Sequence, residues 1–179
     1  FVRRASLEME DAVGNPTAIL PVSSPQALVR AVVVETLAVE AAGAVVLWAA
    51  WAGPLGAREA VWPAVFHAVS AFCNAGFSTF EGGLSGFATH PPTVLTVAVL
   101  VLAGGVGFVV FEDLRHRLVG RRRRLTAHSR LVLATSGLLL AGAMALYLLF
   151  EARETLAPLG LADRLVNALF LAVTPRTAG

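Results

Sequence analysis

One thiol and one imidazole lie close enough in the chain to be considered as a catalytic pair. Cys73 is the sole cysteine, and His67 precedes it by six residues. A thiolate nucleophile needs a base within hydrogen-bond reach, but six residues along a helix correspond to a rotation of about 240°, so the two side chains do not share a face. We therefore interpret His67 as a packing or hydrogen-bonding residue. A single cysteine also excludes a disulfide framework and any multi-thiolate metal site within the sequence.

Two carboxylates, Glu35 and Glu40, stand inside an otherwise apolar stretch, Ala31–Ala52. A carboxylate within a membrane-spanning helix costs about 2.5 to 3.5 kcal/mol on insertion scales, so it is expected to face protein or water. An ion or proton relay is one interpretation of the pair. We favour a simpler one, in which Glu35 lies near a helix end at the cytoplasmic face and Glu40 is a buried hydrogen-bond acceptor or salt-bridge partner.

A third group of polar residues follows a short apolar stretch. Val61–Phe72 can form about three helical turns, or about 18 Å, which is half a membrane. The next seven residues, Cys73–Thr79, are mostly small or polar and include a glycine, so they favour an irregular path. Non-helical backbone at membrane depth survives only where its carbonyl groups face water, protein or an ion. This order is therefore typical of a re-entrant segment that presents carbonyl oxygens to a cation.

The elements that must position these residues are membrane helices. The chain has 179 residues, of which 56% are hydrophobic and 15% charged, whereas an average soluble domain is about 25% charged. Pro92–Phe111 and Leu131–Phe150 each run 20 residues without an ionisable side chain, which is enough to cross a hydrocarbon layer of about 30 Å. Ala31–Ala52, ended by Gly53–Gly56, is a third candidate span. Leu165–Val173 is apolar but too short to cross.

Charge and glycine distribution complete this outline. Seven of the 14 basic residues are arginines between Arg115 and Arg130, which predicts a cytoplasmic connector rather than a nucleic-acid site. The glycines at 104, 105 and 107 could form a hinge inside Pro92–Phe111. We favour close helix packing, because small residues in spanning helices more often serve that purpose.

An internal repeat relates the two halves of the chain. A shift of 104 residues places 54–69 on 158–173 with seven of sixteen pairs identical. The same shift places the span Leu131–Phe150 on 27–46, and with one residue gapped it matches Asn74-Ala75-Gly76 to Thr177-Ala178-Gly179. The sequence therefore predicts one full unit of helix, half-length helix, loop and helix, followed by the first half of a second unit.

These motifs resemble one family closely. The stretch 66–78, which reads FHAVSAFCNAGFS, is similar to the second pore loop of the Trk/Ktr/HKT superfamily of potassium transporters. The glycine-rich sequence Gly104–Phe108 resembles the helix that follows this loop, and Val173–Gly179 resembles the third pore loop. Glu40 matches a glutamate that the family often carries in the incoming helix. Because members of the family carry four such units, we expect this sequence to be an internal piece of a longer membrane protein.

The resemblance implies an all-α membrane protein that transports potassium and is not an enzyme. It implies that backbone carbonyls form two filter segments, with four further residues supporting them. The filter segments are Asn74, Ala75, Gly76 and Thr177, Ala178, Gly179, and the supporting residues are Cys73, Phe77, His67 and Arg176. The Arg176 side chain is expected to point away from the pore, because a full positive charge in the filter would repel the permeant ion. In the family, serine in place of a filter glycine is associated with sodium permeation.

The resemblance also implies an organisation and partners. The predicted divisions are a cytoplasmic connecting segment (1–26), the second repeat (27–118), the arginine-rich connector (119–130) and the truncated third repeat (131–179). Expected partners are the rest of the parent chain, a second copy in a homodimer, a cytosolic nucleotide-binding regulatory subunit and lipid. No cofactor is expected in this chain, and K⁺ is the permeant ion. The protein is expected to be multi-pass in the plasma membrane, with the loops outside and the connector inside.

Two alternatives stay open at this point. One is a sodium-permeable or ion-coupled protein of the same fold, since the first filter segment of the family has no counterpart in the sequence. The other is an intramembrane enzyme that uses the re-entrant loops as a polar cavity. An enzyme would place different side chains in each unit, whereas a filter repeats the same Ala-Gly backbone.

Overall fold

The computed structural model describes residues 25–120 and 124–176, and these form helices joined by turns, with no strand among them. Two of the helices are long and apolar enough to cross a membrane, and a bent pair adds a third crossing if it is counted as one span. The protein is therefore an all-α membrane protein, as predicted. The chain divides into two compact units, residues 1–36 and 37–179. The division of the chain into repeats stays a prediction.

The first helix, α1, spans Pro25–Leu55 and is longer at both ends than the predicted Ala31–Ala52. The helix ends at Leu55, within the predicted break at Gly53–Gly56, and Pro54 lies in its last turn. Gly56 then ends it with φ of 92°, a left-handed conformation that glycine adopts without a steric penalty.

The half-length helix is present with the predicted bounds. This helix, α2, spans Val61–Phe72, and the backbone after it is irregular up to a 3₁₀ turn at Ser85–Phe87. Twelve residues cover only about 18 Å, so α2 is too short to cross a bilayer.

The predicted span Pro92–Phe111 is not one continuous helix. The structure has two helices, α3 over Pro91–Val106 and α4 over Phe108–Leu118, bent by 106°. Gly107 lies between them with φ of 88° and ψ of 147°, a conformation that no residue adopts inside a helix. Of the three glycines assigned to packing, Gly107 is instead the site of the bend, while Gly104 does pack closely against another helix.

The remaining helices begin earlier than predicted. The second spanning helix, α5, covers Ala127–Phe150, because the Thr126 side chain accepts a hydrogen bond from the backbone amide of Ser129 and caps it. The next helix, α6, covers Leu161–Val173 and is followed by a 3₁₀ turn at Thr174–Arg176.

The core is built from small residues of α2 and branched residues of its neighbours. Ala60, Ala64, Ala68 and Ala71 lie at helical spacing and are buried, so the backbone of α2 approaches α3 closely. The rest of the core comes from α1, α3 and α6, at Leu47, Trp51, Val97, Ala98, Leu100, Val101 and Val173. In contrast, the spanning window of α5 has no buried residue, as expected for a helix that faces lipid or other parts of a larger protein.

Candidate ion-binding loop

The loop after α2 has an unusual backbone. Asn74 has φ of 55° and Gly76 has φ of 72°, so two residues of the predicted filter segment adopt left-handed conformations. Asparagine and glycine are the residues that tolerate this region best. The two left-handed residues turn the chain away from the axis of α2 as soon as the helix ends at Phe72.

Two amides of the loop bond back to α2, whereas two of its carbonyls have no donor among the residues that the structure describes. The amide of Asn74 donates to the carbonyl of Ala71 at 3.1 Å, and the amide of Ala75 donates to the carbonyl of Ser70 at 2.8 Å. Within the described residues, no donor reaches the carbonyl oxygens of Ala75 and Gly76, and both residues are exposed. Carbonyls held in this way are available to water or a cation.

Ser70 holds the residue that follows the predicted filter segment. Its hydroxyl donates to the carbonyl of Phe77 at 2.8 Å and accepts from the amide of the same residue at 2.9 Å. The Phe77 side chain is 70% exposed, so its own packing does little to hold it. The position of Phe77 therefore depends on these two bonds.

His67 holds the next residue along the loop. Its Nδ1 lies 2.7 Å from the carbonyl oxygen of Pro63, and its Nε2 lies 2.9 Å from the hydroxyl of Ser78. A carbonyl can only accept, so Nδ1 carries a proton. The Ser78 hydroxyl also accepts from the amide of Phe80 at 3.1 Å, and when the imidazole is neutral its own proton is donated to Nε2.

An aromatic cluster encloses His67. Its ring stacks on Phe80 at 4.9 Å and meets the edge of Trp51 at 5.2 Å. Trp51 also contacts Phe87 at 5.3 Å and donates from Nε1 to the hydroxyl of Thr93 at 2.9 Å. The cluster therefore connects the loop to α1 and to the start of α3. Sequence reasoning missed the roles of Trp51 and Thr93, because neither lies near the loop in the sequence.

Close packing between α3 and the end of α2 holds the start of the loop. A Cβ atom added to Gly104 of α3 would lie 1.8 Å from the carbonyl oxygen of Phe72, the last residue of α2. The Asn74 side chain donates to the same oxygen at 3.2 Å. Glycine at 104 therefore lets α3 approach the end of α2.

Glu40 lies beside the first residue of the loop. It is 91% buried, and the Cys73 thiol donates to its Oε1 across 3.8 Å. This contact agrees with the interpretation of Glu40 as a buried acceptor. Cys73 and His67 have different hydrogen-bond partners, so the structure does not pair them.

One cavity lies between the loop after α2 and helix α6. It has a volume of about 650 Å³ and is lined, among others, by Ser70, Gly76, Phe77, Asn167 and Thr174. The Asn167 side chain donates to the carbonyl of Ala88 at 2.6 Å and ties α6 to the segment that precedes α3. The loop after α2 and helix α6 therefore line one space, whose walls are mostly apolar with a few polar groups.

A second cluster of polar residues lies on α4, the second helix of the bent pair. Asp113 of α4 is buried, and its Oδ2 accepts from the amide and the hydroxyl of Thr126 at 2.8 and 3.0 Å. Glu112 accepts from Arg115 at 2.7 Å and lies 3.0 Å from Nε2 of His116. The predicted span ends at Phe111, and the sequence pattern assigns no role to Glu112 or Asp113. The structure uses Asp113 to hold the N-terminal cap of α5.

The structure thus brings one predicted filter segment together with its supports. Asn74, Ala75 and Gly76 form one loop with Cys73 and Phe77, and His67 lies behind it. Arg176 lies in the 3₁₀ turn after α6. The second filter segment, Thr177–Gly179, and the expected orientation of the Arg176 side chain lie outside the described residues.

Comparison with known proteins gives consistent matches over nearly the whole chain. Residues 22–179 match the family model TrkH, described as a cation transport protein. The chain is 38% identical over 144 residues to the potassium/sodium uptake protein NtpJ of Enterococcus hirae. The aligned region covers 79% of the chain and 31% of that protein.

Two further relatives carry the name Ktr system potassium uptake protein B. The chain is 31% identical over 174 residues to the Bacillus subtilis protein, covering 96% of the chain and 38% of that protein. It is 34% identical over 155 residues to the Vibrio alginolyticus protein, covering 85% of the chain and 34% of that protein. The chain therefore spans about a third of the length of the curated relatives it matches.

Proposed function

The chain belongs to the TrkH family of cation transport proteins, and on that premise we propose that it supplies part of a potassium-conducting pore. Members of the Trk/Ktr family are transporters and not enzymes, which excludes the intramembrane enzyme considered as an alternative. The activity belongs to the whole protein, of which this chain contributes one repeat and half of the next.

The free carbonyls of the loop after α2 carry this proposal. Ala75 and Gly76 present exposed carbonyl oxygens that no donor in the described part of the chain satisfies. Such oxygens can replace the hydration shell of a monovalent cation. The C-terminal end of α2 carries a partial negative charge from its peptide dipoles, which favours a cation over an anion at this place.

The repeat extends this site to a second segment. Asn74, Ala75 and Gly76 are proposed to coordinate K⁺ together with the carbonyls of Thr177, Ala178 and Gly179, with Arg176 supplying backbone only. Support comes from the cavity between the loop and α6, because residues of both predicted units line it. The printed name of the Enterococcus relative includes sodium, so a sodium-permeable member of the same fold is kept as the second candidate.

Partners are proposed on the same grounds. The word "system" in the names of the Ktr relatives implies several components in those proteins. We propose a homodimer with a cytosolic nucleotide-binding regulatory subunit, in addition to the remaining repeats of the parent chain. The exposed apolar residues of α5, such as Leu138 and Leu149, would contact lipid or those repeats. The proposal requires no cofactor in this chain.

Orientation in the plasma membrane is proposed from charge. Arginines concentrate in the connector between α4 and α5, and such loops are retained in the cytoplasm. The loop after α2 would then face the exterior. Because Cys73 is itself exposed, it is first replaced by alanine; a cysteine introduced at position 85 should then react with an impermeant reagent from outside, and one at 122 only from inside. The opposite pattern would reverse the orientation.

Uptake of Rb⁺, a potassium substitute, tests the function directly. The full-length protein, with its regulatory subunit, is expected to restore growth and Rb⁺ uptake at low potassium in a cell that lacks its own uptake systems. Excess K⁺ should compete with Rb⁺ more strongly than excess Na⁺ does. Absence of uptake despite normal amounts of membrane-inserted protein would overturn the proposal, and preference for Na⁺ would favour the second candidate.

A further inference from the structure

We propose that Ser70 and His67 form a brace that sets the geometry of the filter backbone and thereby its discrimination between potassium and sodium. This inference rests on the proposed function. It assigns the two side chains a positioning role, since neither contributes a carbonyl to the ion path.

The brace holds the loop from one face of α2. Ser70 and His67 are three residues apart, so they lie on the same side of the helix, and both are buried. They bond to consecutive residues of the loop, Ser70 to Phe77 and His67 to Ser78. The carbonyl of Ser70 also accepts from the amide of Ala75. The brace therefore fixes the loop on both sides of Gly76.

The loop has little else to hold it there. The side chains of Cys73, Ala75, Phe77, Ser78 and Thr79 are exposed, so apolar burial contributes little to the position of this segment. In the absence of such packing, hydrogen bonds to a rigid element determine where the backbone lies. Removal of one bond would let the loop move relative to α2 without unfolding the helix.

The brace itself is anchored. His67 is fixed on its other side by the carbonyl of Pro63 and by stacking on Phe80. Trp51 closes the cluster, and its bond to Thr93 reaches α3. Movement of His67 would therefore require α1, which carries Trp51, and α3, which carries Thr93, to shift as well.

A fixed backbone matters for discrimination between ions. Carbonyl oxygens select among cations through the number of oxygens, their spacing and the field they produce. A loop that can contract would coordinate the smaller Na⁺ as well as K⁺. Loss of the brace is therefore expected to relax the preference for potassium while ion passage continues.

The chain offers a natural variation on the first member of the brace. Under the shift of 104 residues, Ser70 corresponds to Thr174, which is the first residue of the 3₁₀ turn after α6. Both positions carry a hydroxyl on a β-carbon. The two predicted units therefore share a hydroxyl near the C-terminal end of the half-length helix.

Ser70→Ala in the full-length protein tests the brace. This variant removes the hydroxyl and keeps α2 intact, and it is expected to lower the K⁺ over Na⁺ preference by at least about fivefold, as the loss of both hydrogen bonds between the hydroxyl and Phe77 predicts. Total Rb⁺ uptake in the absence of Na⁺ should fall much less. Ser70→Thr should restore the preference, which a purely steric role would not explain. An unchanged preference in Ser70→Ala would overturn the proposal.

Matched variants separate the brace from general damage. Ser85→Ala removes a hydroxyl whose one partner among the described residues is the carbonyl of Gly82, and the ion preference of this variant should equal that of the wild type. His67→Phe keeps an aromatic ring in the cluster and removes both hydrogen bonds, and it should lower the preference as Ser70→Ala does. If Ser70→Ala fails to fold, Ser78→Ala at an exposed position must still lower the preference, and an unchanged value overturns the brace. Absence of Rb⁺ uptake in the wild type would instead contradict the proposed function.

Discussion

Replacement of Gly76 by serine in the full-length protein is expected to lower potassium uptake at least tenfold and to shift the preference toward sodium. Gly76 has φ of 72°, and a residue with a Cβ atom in this conformation costs about 1 to 2 kcal/mol, a factor of about tenfold. The serine would relieve this cost by rotating its backbone and moving the carbonyl away from the ion. Its hydroxyl would also place a new oxygen beside the path. Competitive Rb⁺ uptake against K⁺ and Na⁺ measures both effects.

Gly83→Ser provides the control for the backbone effect. Gly83 also has a left-handed φ, 69°, and a Cβ atom there would meet no neighbour within 4 Å. It lies beyond the filter segment, so its replacement should leave the ion preference unchanged. An equal loss of potassium uptake in Gly76→Ser and Gly83→Ser would mean that strain in the loop, rather than the position of the Gly76 carbonyl, controls uptake. Normal uptake and preference in Gly76→Ser would contradict the assignment of the filter.

Replacement of Gly104 by alanine is expected to destabilise the protein severely. The added Cβ would lie 1.8 Å from the carbonyl oxygen of Phe72 and 2.9 Å from its carbonyl carbon, and a helix backbone cannot move aside as a flexible side chain can. Overpacking typically costs about 1 to 3 kcal/mol, and more where backbone must shift. We expect a lower yield and a Tm lower by several degrees, measured by size-exclusion chromatography of heated, detergent-solubilised full-length protein.

The adjacent glycine supplies the control. A Cβ atom on Gly105 would meet nothing within 4 Å, so Gly105→Ala should leave the Tm unchanged or raise it, because alanine favours a helix over glycine by about 1 kcal/mol. Equal Tm values for the two variants would show that α3 does not pack on the end of α2 in the assembled protein.

The side-chain pattern predicted the bounds of the short helix α2 well, but it predicted one long element, Pro92–Phe111, badly. Val61–Phe72 has the predicted bounds because an apolar stretch there is followed at once by residues that favour an irregular path. Pro92–Phe111 is also apolar throughout, yet the helix bends by 106° at Gly107. Hydropathy reports side chains only, and a glycine can leave the helical conformation without any change in that pattern.

Helix starts were predicted late for a related reason. Apolar residues mark where a helix enters the membrane, but α5 begins at Ala127, where Thr126 caps it and Asp113 holds the cap. Asp113 lies 13 residues away in the sequence. A contact at that distance depends on the fold of the whole segment, and the sequence pattern does not contain it.

The candidate site was predictable in part. The internal repeat singled out Asn74, Ala75 and Gly76 by matching them to Thr177, Ala178 and Gly179, and their assignment to a filter stays a prediction. The contacts that hold them were not predictable, since Trp51 meets Thr93 across 42 residues and Ser70 meets Phe77 only because the loop folds back onto α2. Residues whose backbone carbonyls line a site can recur in each repeat of a sequence. The side chains that hold this backbone in place differ from repeat to repeat, because they depend on the residues around them.

Rb⁺ located by anomalous X-ray diffraction in crystals of the full-length protein tests the central claim most directly. The claim is that the carbonyls after α2 line the ion path. We expect an anomalous peak coordinated by the carbonyl oxygens of Ala75 and Gly76, weakened when K⁺ is added in excess. Rb⁺ peaks only at other positions, with none at these carbonyls in a protein that transports Rb⁺, would contradict the claim.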